Sequence, residues 1–167
     1  MWTKQLAESL RISNELDLQR FETMQTFYNL CYREEERETL PFCKDQNIST
    51  LTYNPVAKGF LTGKYIRNEK NGRIRFKSDP ALAAKFFKSE DFDILEVVIQ
   101  IANEKDVKPA QIALAWLLEK NITSPIIGVT KISHVEEAID SLNIKLTSDD
   151  IKRLEDPYQA QSIHHLD

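Results

Sequence analysis

The chain has 167 residues, of which 41% are hydrophobic and 29% are charged, and its net charge is −4. Such a chain can form one globular unit with a sizeable core, and its charge gives no reason to expect nucleic acid or an anionic membrane as a partner. Cys31 and Cys43 are its two cysteines, so we expect reduced thiols and a cytoplasmic location. No stretch of the sequence approaches the roughly 18 apolar residues that span a bilayer.

Helices and strands alternate in the first third of the sequence. Residues 2–12 carry apolar side chains four positions apart, which is typical of one helix face. Residues 21–28 alternate as strand residues do, and the charged stretch 33–46 predicts a helix that is bent or restarted near Pro41. The β-branched and aromatic residues 48–53 predict a second strand.

The rest of the sequence adds one strand and several helices. Residues 66–80 contain an Asn-Gly turn signal and little periodicity, so we interpret them as a mobile surface loop. Residues 91–106 predict a helix that starts at an acidic cap, and residues 109–120 predict a second helix, apolar almost all round and therefore buried. A short apolar strand is predicted over 124–129 and a final helix over 148–155.

A further helix with two unlike sides is predicted between that strand and the final helix. One side is marked by four aliphatic residues: Ile132, Val135, Ile139 and Leu142. Three polar residues fall on a different side: His134, Glu137 and Ser141. The complete order is helix, strand, helix, strand, helices, strand, helices, which predicts an α/β fold with a parallel sheet covered by helices.

In a parallel sheet the ligand site lies at the carboxyl edge of the strands. Three segments of this chain are expected to meet there: Gln25–Asn29, Tyr53–Gly63 and Gly128–Glu137. We therefore expect the functional residues to lie on these three segments.

Three stretches of the sequence resemble one enzyme family in the expected order. Residues 53–65, YNPVAKGFLTGKY, closely resemble the signature at the end of the seventh barrel strand of the aldo-keto reductases. Residues 109–118, PAQIALAWLL, followed by residues 122–142, look like the segment leading into and out of the eighth strand. Residues 24–38, MQTFYNLCYREEERE, are similar to the sixth-strand motif of the aryl-alcohol-dehydrogenase branch.

The resemblance covers residues 1–156 and implies the C-terminal half of such a barrel. The implied fold is a partial (β/α)8 TIM barrel of the α/β class, comprising about the last three strand-helix units. Residues 157–167 are expected to be a disordered tail. Three parallel strands would leave two open edges and an uncovered inner face, so self-association through the sheet edges is one expectation.

The resemblance also implies NADP(H) as the cofactor. Gln25 would hydrogen-bond the nicotinamide carboxamide, and Tyr53 would stack on the nicotinamide ring, because a flat aromatic face holds the ring and leaves its other side open for hydride transfer. The loop along the pyrophosphate would use small residues that let backbone N–H groups approach oxygen anions. Its residues are Pro55, Val56, Ala57, Gly59 and Leu61. Asn54, which precedes them in the cofactor site, stands where serine is usual.

The turn after the last predicted strand would hold the adenosine end of the cofactor. Its residues match the family's eighth-strand turn: Gly128, Val129, Thr130 and Lys131. The following helix start would bind the 2′-phosphate through N–H groups, with Lys131 as the cation. His134 and Glu137 match positions that contact the adenine and ribose side, whereas Ala138 stands where asparagine is common.

No residue of this chain inherits a catalytic role from the resemblance. The family's reduction uses an Asp, Tyr, Lys and His set from the first four strands, with Tyr as general acid and Lys lowering its pKa. Met1 matches a position just beyond the fifth strand. The sequence therefore predicts an NADP-dependent aryl-alcohol oxidoreductase that is truncated and inactive alone, with an aromatic alcohol or aldehyde as the implied substrate.

Two other functions remain open at this point. The chain could be a non-catalytic NADP(H)-binding or interaction module that associates with a partner chain, or a reductase completed by self-assembly. The basic run 64–77 is interpreted as a solvated loop that would fold over the cofactor, in preference to a nucleic-acid contact. The charged run 33–38 is interpreted as a solvated helix face, and His164 and His165 with Asp167 as part of the frayed tail, so no metal site is predicted.

Overall fold

The computed structural model describes residues 1–65 and 88–163 of the chain. It contains three strands: β1 (Thr23–Phe27), β2 (Ser49–Tyr53) and β3 (Ser124–Ile126). The α-helices are α1 (Thr3–Glu15), α2 (Thr39–Asp45), α3 (Ser89–Glu104), α4 (Pro109–Glu119), α5 (Ile132–Asp140) and α6 (Ser148–Glu155). Short 3-10 turns span Glu34–Glu36, Ala57–Thr62 and Ser141–Asn143.

Some predicted features lie outside the described residues. These are the predicted surface loop 66–80, nearly all of the basic run 64–77, and His164, His165 and Asp167 of the tail. Among residues 1–65 and 88–163, no helix has the length and apolar composition of a membrane-spanning segment.

The strands form one parallel sheet in the order β1-β2-β3. Gln25 lies opposite Leu51, and Leu51 lies opposite Ser124, so the three strands run in step. The predicted α/β class and parallel sheet are confirmed. The sheet is not closed into a barrel, and within the described residues both β1 and β3 have one edge without a neighbouring strand.

Helices cover one face of the sheet. Leu6 of α1 packs with Met24 of β1, together with Cys43 of α2 and Ile48, in one buried cluster. The larger cluster is built around α4, in which residues 111–117 are all buried. The burial of α4 on every side confirms the prediction made from its nearly continuous apolar sequence. Cys31 and Cys43 are both buried, unpaired thiols.

The predicted restart near Pro41 is confirmed, because the turn Glu34–Glu36 is followed by α2, which begins at Thr39. Pro41 lies in the first turn of α2, where a missing N–H breaks no helical hydrogen bond. Two other predicted boundaries are wrong by two or three residues. Helix α3 begins at Ser89, because Asp91 caps it from inside the first turn by accepting a 3.2 Å hydrogen bond from the N–H of Lys88. Strand β3 ends at Ile126, because its neighbour β2 ends at the paired residue Tyr53.

Helix α5 is turned opposite to the usual arrangement of an amphipathic helix. Its aliphatic side is exposed, with exposed fractions of 80% at Ile132, 56% at Ile139 and 60% at Leu142 just beyond its end. The polar side faces the body of the protein, where Ser141 is buried and Glu137 is half-buried. Packing therefore leaves an unpartnered apolar stripe on the described surface.

The segment after α6 packs against the rest of the chain. The hydroxyl of Tyr158 donates a 2.7 Å hydrogen bond to Oε1 of Glu34, and the N–H of Gln161 donates to the same oxygen at 2.7 Å. Nε2 of Gln161 also donates to the carbonyl of Cys31 at 2.7 Å. These contacts extend the packed part of the chain past residue 156, where the sequence analysis ended the barrel unit.

Candidate functional site

The three segments expected at the site meet at one edge of the sheet. Phe27, Tyr53 and Ile126 are the last residues of β1, β2 and β3, and they lie side by side in the strand register. The loops that leave these strands therefore begin at the same level. This edge is the one at which parallel sheets bind their ligands.

Gln25 and Tyr53 lie on the same face of the sheet. Met24 and Thr26 of β1 are buried beneath the helices, whereas Gln25 between them is exposed on the opposite face. Tyr53 pairs with Phe27, which is two residues beyond Gln25 and therefore on the same face. The structure thus brings an exposed amide and an aromatic ring to one surface, where they can contact the same ligand.

The ring of Tyr53 is half-buried and packs against aromatic neighbours. Its centroid lies 5.3 Å from that of Phe27, and Phe27 lies 4.8 Å from Tyr32. Burial and, second, the nearby charge of Glu35 raise the pKa of Tyr53. The phenol is therefore uncharged at neutral pH, which suits a ring that stacks but not one that gives up a proton.

The loop after β2 starts in a left-handed conformation. Asn54 has φ of 55°, and asparagine adopts this region more readily than most residues. Nδ2 of Asn29 donates a 3.1 Å hydrogen bond to the carbonyl of Asn54, and Oδ1 of Asn29 accepts one from the N–H of Cys31 at 2.9 Å. Asn29 thereby ties the loop after β1 to the loop after β2.

The rest of this loop can face a ligand mainly with its backbone. Pro55, Ala57 and Leu61 are buried, so their side chains point into the protein. Ala57 and Gly59 both have positive φ, of 49° and 94°. A Cβ added at Gly59 would meet no atom within 4 Å, so the loop is open to solvent there. Val56 is half-buried against the main core.

The turn after β3 is exposed and leads into a helix N-terminus. The turn residues Gly128, Val129, Thr130 and Lys131 are all exposed. Lys131 is the N-cap of the nine-residue helix α5, and its side chain makes no capping hydrogen bond. The first N–H groups of a helix carry a partial positive charge, so this turn offers an anion both N–H groups and the Lys131 cation.

His134 and Glu137 lie one turn apart on the half-buried side of α5. Nζ of Lys108 forms an ion pair with Oε1 of Glu137. Nε2 of Gln111 donates a 3.0 Å hydrogen bond to the backbone carbonyl of Glu137. Glu137 of α5 is therefore held by two residues at the N-terminal end of α4.

Comparison with known proteins identifies the family of this chain. The model of the aldo/keto reductase family matches residues 5–158. The chain belongs to the aldo-keto reductase family. Residues 24–38, 53–65 and 109–142 all lie within the matched range, and the identification of the family from the sequence is confirmed.

Several curated relatives are similar to most of this chain. The provisionally named aryl-alcohol dehydrogenase AAD16 of Saccharomyces cerevisiae is 40% identical over 144 residues, which are 84% of this chain and 41% of the relative. The provisionally named aryl-alcohol dehydrogenase C750.01 of Schizosaccharomyces pombe is 38% identical over 83% of this chain and 42% of its own length. Versiconal hemiacetal acetate reductase of Aspergillus parasiticus is 33% identical over 98% of this chain and 47% of its own length. The chain thus spans less than half the length of each of these relatives.

The site of this aldo-keto reductase chain is an open surface. A groove of 680 Å³ on the described surface is lined by Leu10, Arg11, Ser13 and Phe42, among others. It lies between α1 and α2, toward the amino ends of β1 and β2, and contains no predicted site residue. The described residues include no group of three or more His, Cys, Asp and Glu placed to hold a metal ion.

Two residues that organise this site, Lys108 and Gln111, were not predicted from the sequence, and Asn29 was placed at the sheet edge without a role of its own. Gln111 had a detectable signal, because it is the third residue of α4 and its Oε1 accepts a 2.9 Å hydrogen bond from the N-cap N–H of Lys108, a capping pattern. The links of Lys108 and Gln111 to Glu137 cross 29 and 26 residues of sequence and leave no local pattern.

Proposed function

We propose that this chain supplies the NADP(H)-binding surface of an aryl-alcohol-dehydrogenase-type aldo-keto reductase. In such an enzyme, hydride passes between NADP(H) and an aromatic alcohol or aldehyde. The proposal includes the fold, in which β1, β2 and β3 with their helices are the last three units of a (β/α)8 barrel. It is carried by one observation: residues of three segments that resemble family motifs lie at the same carboxyl edge of a parallel sheet.

The proposed contacts with NADP(H) lie along the carboxyl edge of the sheet. Gln25 and Tyr53 would hold the nicotinamide, because they share an exposed face of the sheet. The backbone of the loop 54–61 would follow the pyrophosphate. The turn 128–131 would bind the 2′-phosphate, with His134 and Glu137 at the adenosine end. The distinction between NADP(H) and NAD(H) would rest on Lys131 and the first N–H groups of α5.

Tyr28, Tyr53 and Tyr158 are poorly suited to donate a proton to the substrate. A tyrosine general acid needs a pKa lowered toward neutrality. Burial instead raises the pKa of Tyr28, with a hydrogen bond to Glu36 adding to the effect, and burial likewise raises the pKa values of Tyr53 and Tyr158. Because no residue of this chain matches the family's catalytic Asp, Tyr, Lys and His set, we propose that these 167 residues do not turn over substrate alone and that reduction needs a further segment or a partner chain.

A second candidate function is an interaction module that keeps affinity for NADP(H) and associates with a partner chain. The exposed aliphatic side of α5 and the free edges of β1 and β3 favour it. Exposed apolar stripes and strand edges are surfaces that proteins normally cover. A cytoplasmic location, expected from the two unpaired cysteines, belongs to both versions of the proposal.

Thermal unfolding followed by circular dichroism tests the proposed cofactor. A ligand that binds only the folded state at 100 times its Kd adds about 2.7 kcal/mol to the free energy of unfolding. For a chain of this size that corresponds to a rise in Tm of about 5–10 °C. We expect NADPH to raise the Tm by this amount and NADH to raise it less. A melt that neither dinucleotide moves would contradict cofactor binding.

A further inference from the structure

Helix α5 is held against α4 by a pair of polar contacts centred on one residue. Lys108, the N-cap of α4, pairs with the side chain of Glu137, and Gln111 donates to the backbone carbonyl of Glu137 at 3.0 Å. We call Lys108, Gln111 and Glu137 the clasp. Gln111 is buried, and its Oε1 already accepts from the N–H of Lys108, so both of its polar groups are used.

The clasp replaces the apolar packing that α5 lacks. None of the nine residues of α5 is buried, and its aliphatic side points away from α4. Its main contacts among the described residues are with α4 and with the turn Ser141–Asn143. A helix without a buried side chain is held in place largely by its polar contacts, so the direction of its N-terminus depends on them. That N-terminus carries Lys131.

The clasp also fixes one carboxylate in a definite orientation. Lys108 engages Oε1 of Glu137, and Oε2 of Glu137 has no hydrogen-bond partner among the described residues. The exposed fraction is 63% for the Lys108 side chain and 24% for that of Glu137. The carboxylate is thus the more enclosed partner, with one oxygen occupied and one ready to accept a hydrogen bond.

We infer that Lys108 and Gln111 are positioning residues for the adenosine end of the cofactor. Gln111 holds the backbone of α5, and Lys108 orients the Glu137 carboxylate so that Oε2 accepts a hydrogen bond from the exocyclic amine of adenine. This inference rests on the proposed function. It adds two residues that touch no ligand themselves and act through Glu137.

Two dinucleotides that differ at a single group test the role of Lys108. NADPH carries the adenine amine, and its hypoxanthine analogue carries a carbonyl oxygen in the same place, which cannot donate to a carboxylate. We expect Lys108→Met to weaken NADPH binding about threefold to fivefold, the range for a partly exposed ion pair, and to leave the analogue unchanged. Lys108→Arg should bind NADPH as the wild type does. Lys145→Met, which removes an exposed lysine outside the clasp, should change neither affinity.

Hydrogen exchange of the unliganded chain tests the clasp without the cofactor. Gln111→Glu keeps the oxygen that caps α4 but puts an acceptor where Nε2 donates to α5. We expect faster amide exchange over residues 128–140 in Gln111→Glu and in Lys108→Met than in the wild type. Should Gln111→Glu fail to fold, Lys108→Met still decides the question, because its side chain is largely exposed.

The outcomes separate the inference from the proposed function. A wild type that binds neither dinucleotide refutes the proposed function and with it the ligand role of the clasp, while the exchange data still show whether the clasp holds α5. If the wild type binds NADPH and Lys108→Met binds it with the same affinity, the inference is overturned and the proposed function is not affected. An equal loss for both dinucleotides has the same consequence, because that would reflect general charge and not the oriented carboxylate.

Discussion

Glu155 joins three separate parts of the fold, and its replacement by glutamine should lower stability in a pH-dependent way. Its Oε1 accepts a 2.9 Å hydrogen bond from Nε1 of Trp116 and pairs with Lys120, while its Oε2 accepts from Arg33 at 2.9 Å. Trp116 is completely buried. Arg33 also lies over the Trp116 ring, with 5.6 Å from Cζ to the ring centroid. The carboxylate thus connects α4, α6 and the segment after β1.

The size of the effect follows from these partners. Glu155→Gln keeps an oxygen for Trp116 but loses the charge that pairs with Arg33 and Lys120. Hydrogen bonds to charged groups contribute about 1.5–3 kcal/mol each, and partial exposure of the pair reduces this. Arg33 also keeps its two hydrogen bonds to Glu36, at 2.9 and 2.8 Å, so it is not left unpaired. We expect a loss of about 2 kcal/mol in the free energy of unfolding.

The stability difference between the wild type and Glu155→Gln should depend on pH in a direction that the pKa of Glu155 determines. Burial alone would raise the pKa of Glu155, but the hydrogen bonds from Lys120 and Trp116 and the charge of Arg33 outweigh it, and the pKa is lowered. The carboxylate therefore stabilises the fold fully above its unfolded pKa of about 4.3, and this contribution is lost as the pH falls through the lower folded value. The difference between wild type and variant should be constant from pH 7 to 5 and shrink below about pH 4.

Urea unfolding followed by circular dichroism measures this difference. With an m value of about 2 kcal/mol per molar urea, the midpoint should fall by about 1 M at pH 7. Glu119→Gln is the matched control, because Glu119 is exposed and lies near Trp116 in the sequence. A loss below about 0.5 kcal/mol in Glu155→Gln, or an equal loss in the control, would refute the reasoning.

Three further predictions use single substitutions. Burial raises the pKa of Asp91 to about 6, so the stability of the wild type relative to Asp91→Asn should fall as the pH rises from 4 to 6, and a difference that does not change with pH in urea titrations would contradict this. Gly63→Ala should cost about 1–3 kcal/mol, because Gly63 has φ of 75° and an added Cβ would lie 2.9 Å from Cγ of Pro109. Gly128→Ala, where an added Cβ would meet nothing within 4 Å, should stay within about 0.5 kcal/mol in the same melts. Lys131→Met should weaken NADPH binding about threefold to tenfold in fluorescence titrations without changing NADH binding, and an equal loss for both would contradict its 2′-phosphate role.

Local patterns in the sequence account for most of the fold. Pro109 stands at the first residue of α4, and Thr147 caps α6 by accepting a 3.1 Å hydrogen bond from the N–H of Asp150. Both are short-range preferences that a sequence displays directly. The β-branched stretch at β2 and the alternation at β1 are equally local. Predicted boundaries were wrong where a neighbouring element decides them. Strand β3, for example, ends at Ile126 because the adjacent strand β2 ends there.

The position of the candidate site in the fold could be predicted from the sequence, but most of its side-chain contacts could not. Strand order places the loops after β1, β2 and β3 together, and the sequence shows that order. The contact of Tyr53 with Phe27 and the clasp at Glu137 depend on side chains that meet only after packing. The cofactor contacts themselves stay predictions.

The orientation of α5 links the site to the open surfaces of the chain. An apolar side indicates where a helix prefers to be covered, but Ile132 and Ile139 are exposed here. Ligand sites commonly bury most of the ligand surface, whereas the proposed cofactor contacts lie on an open sheet edge and an exposed turn. A segment or partner that covers the apolar side of α5 would stabilise the helix whose N-terminus is proposed to bind the 2′-phosphate. By linkage, NADPH would then strengthen association with that covering chain by the same factor as the covering chain strengthens NADPH binding.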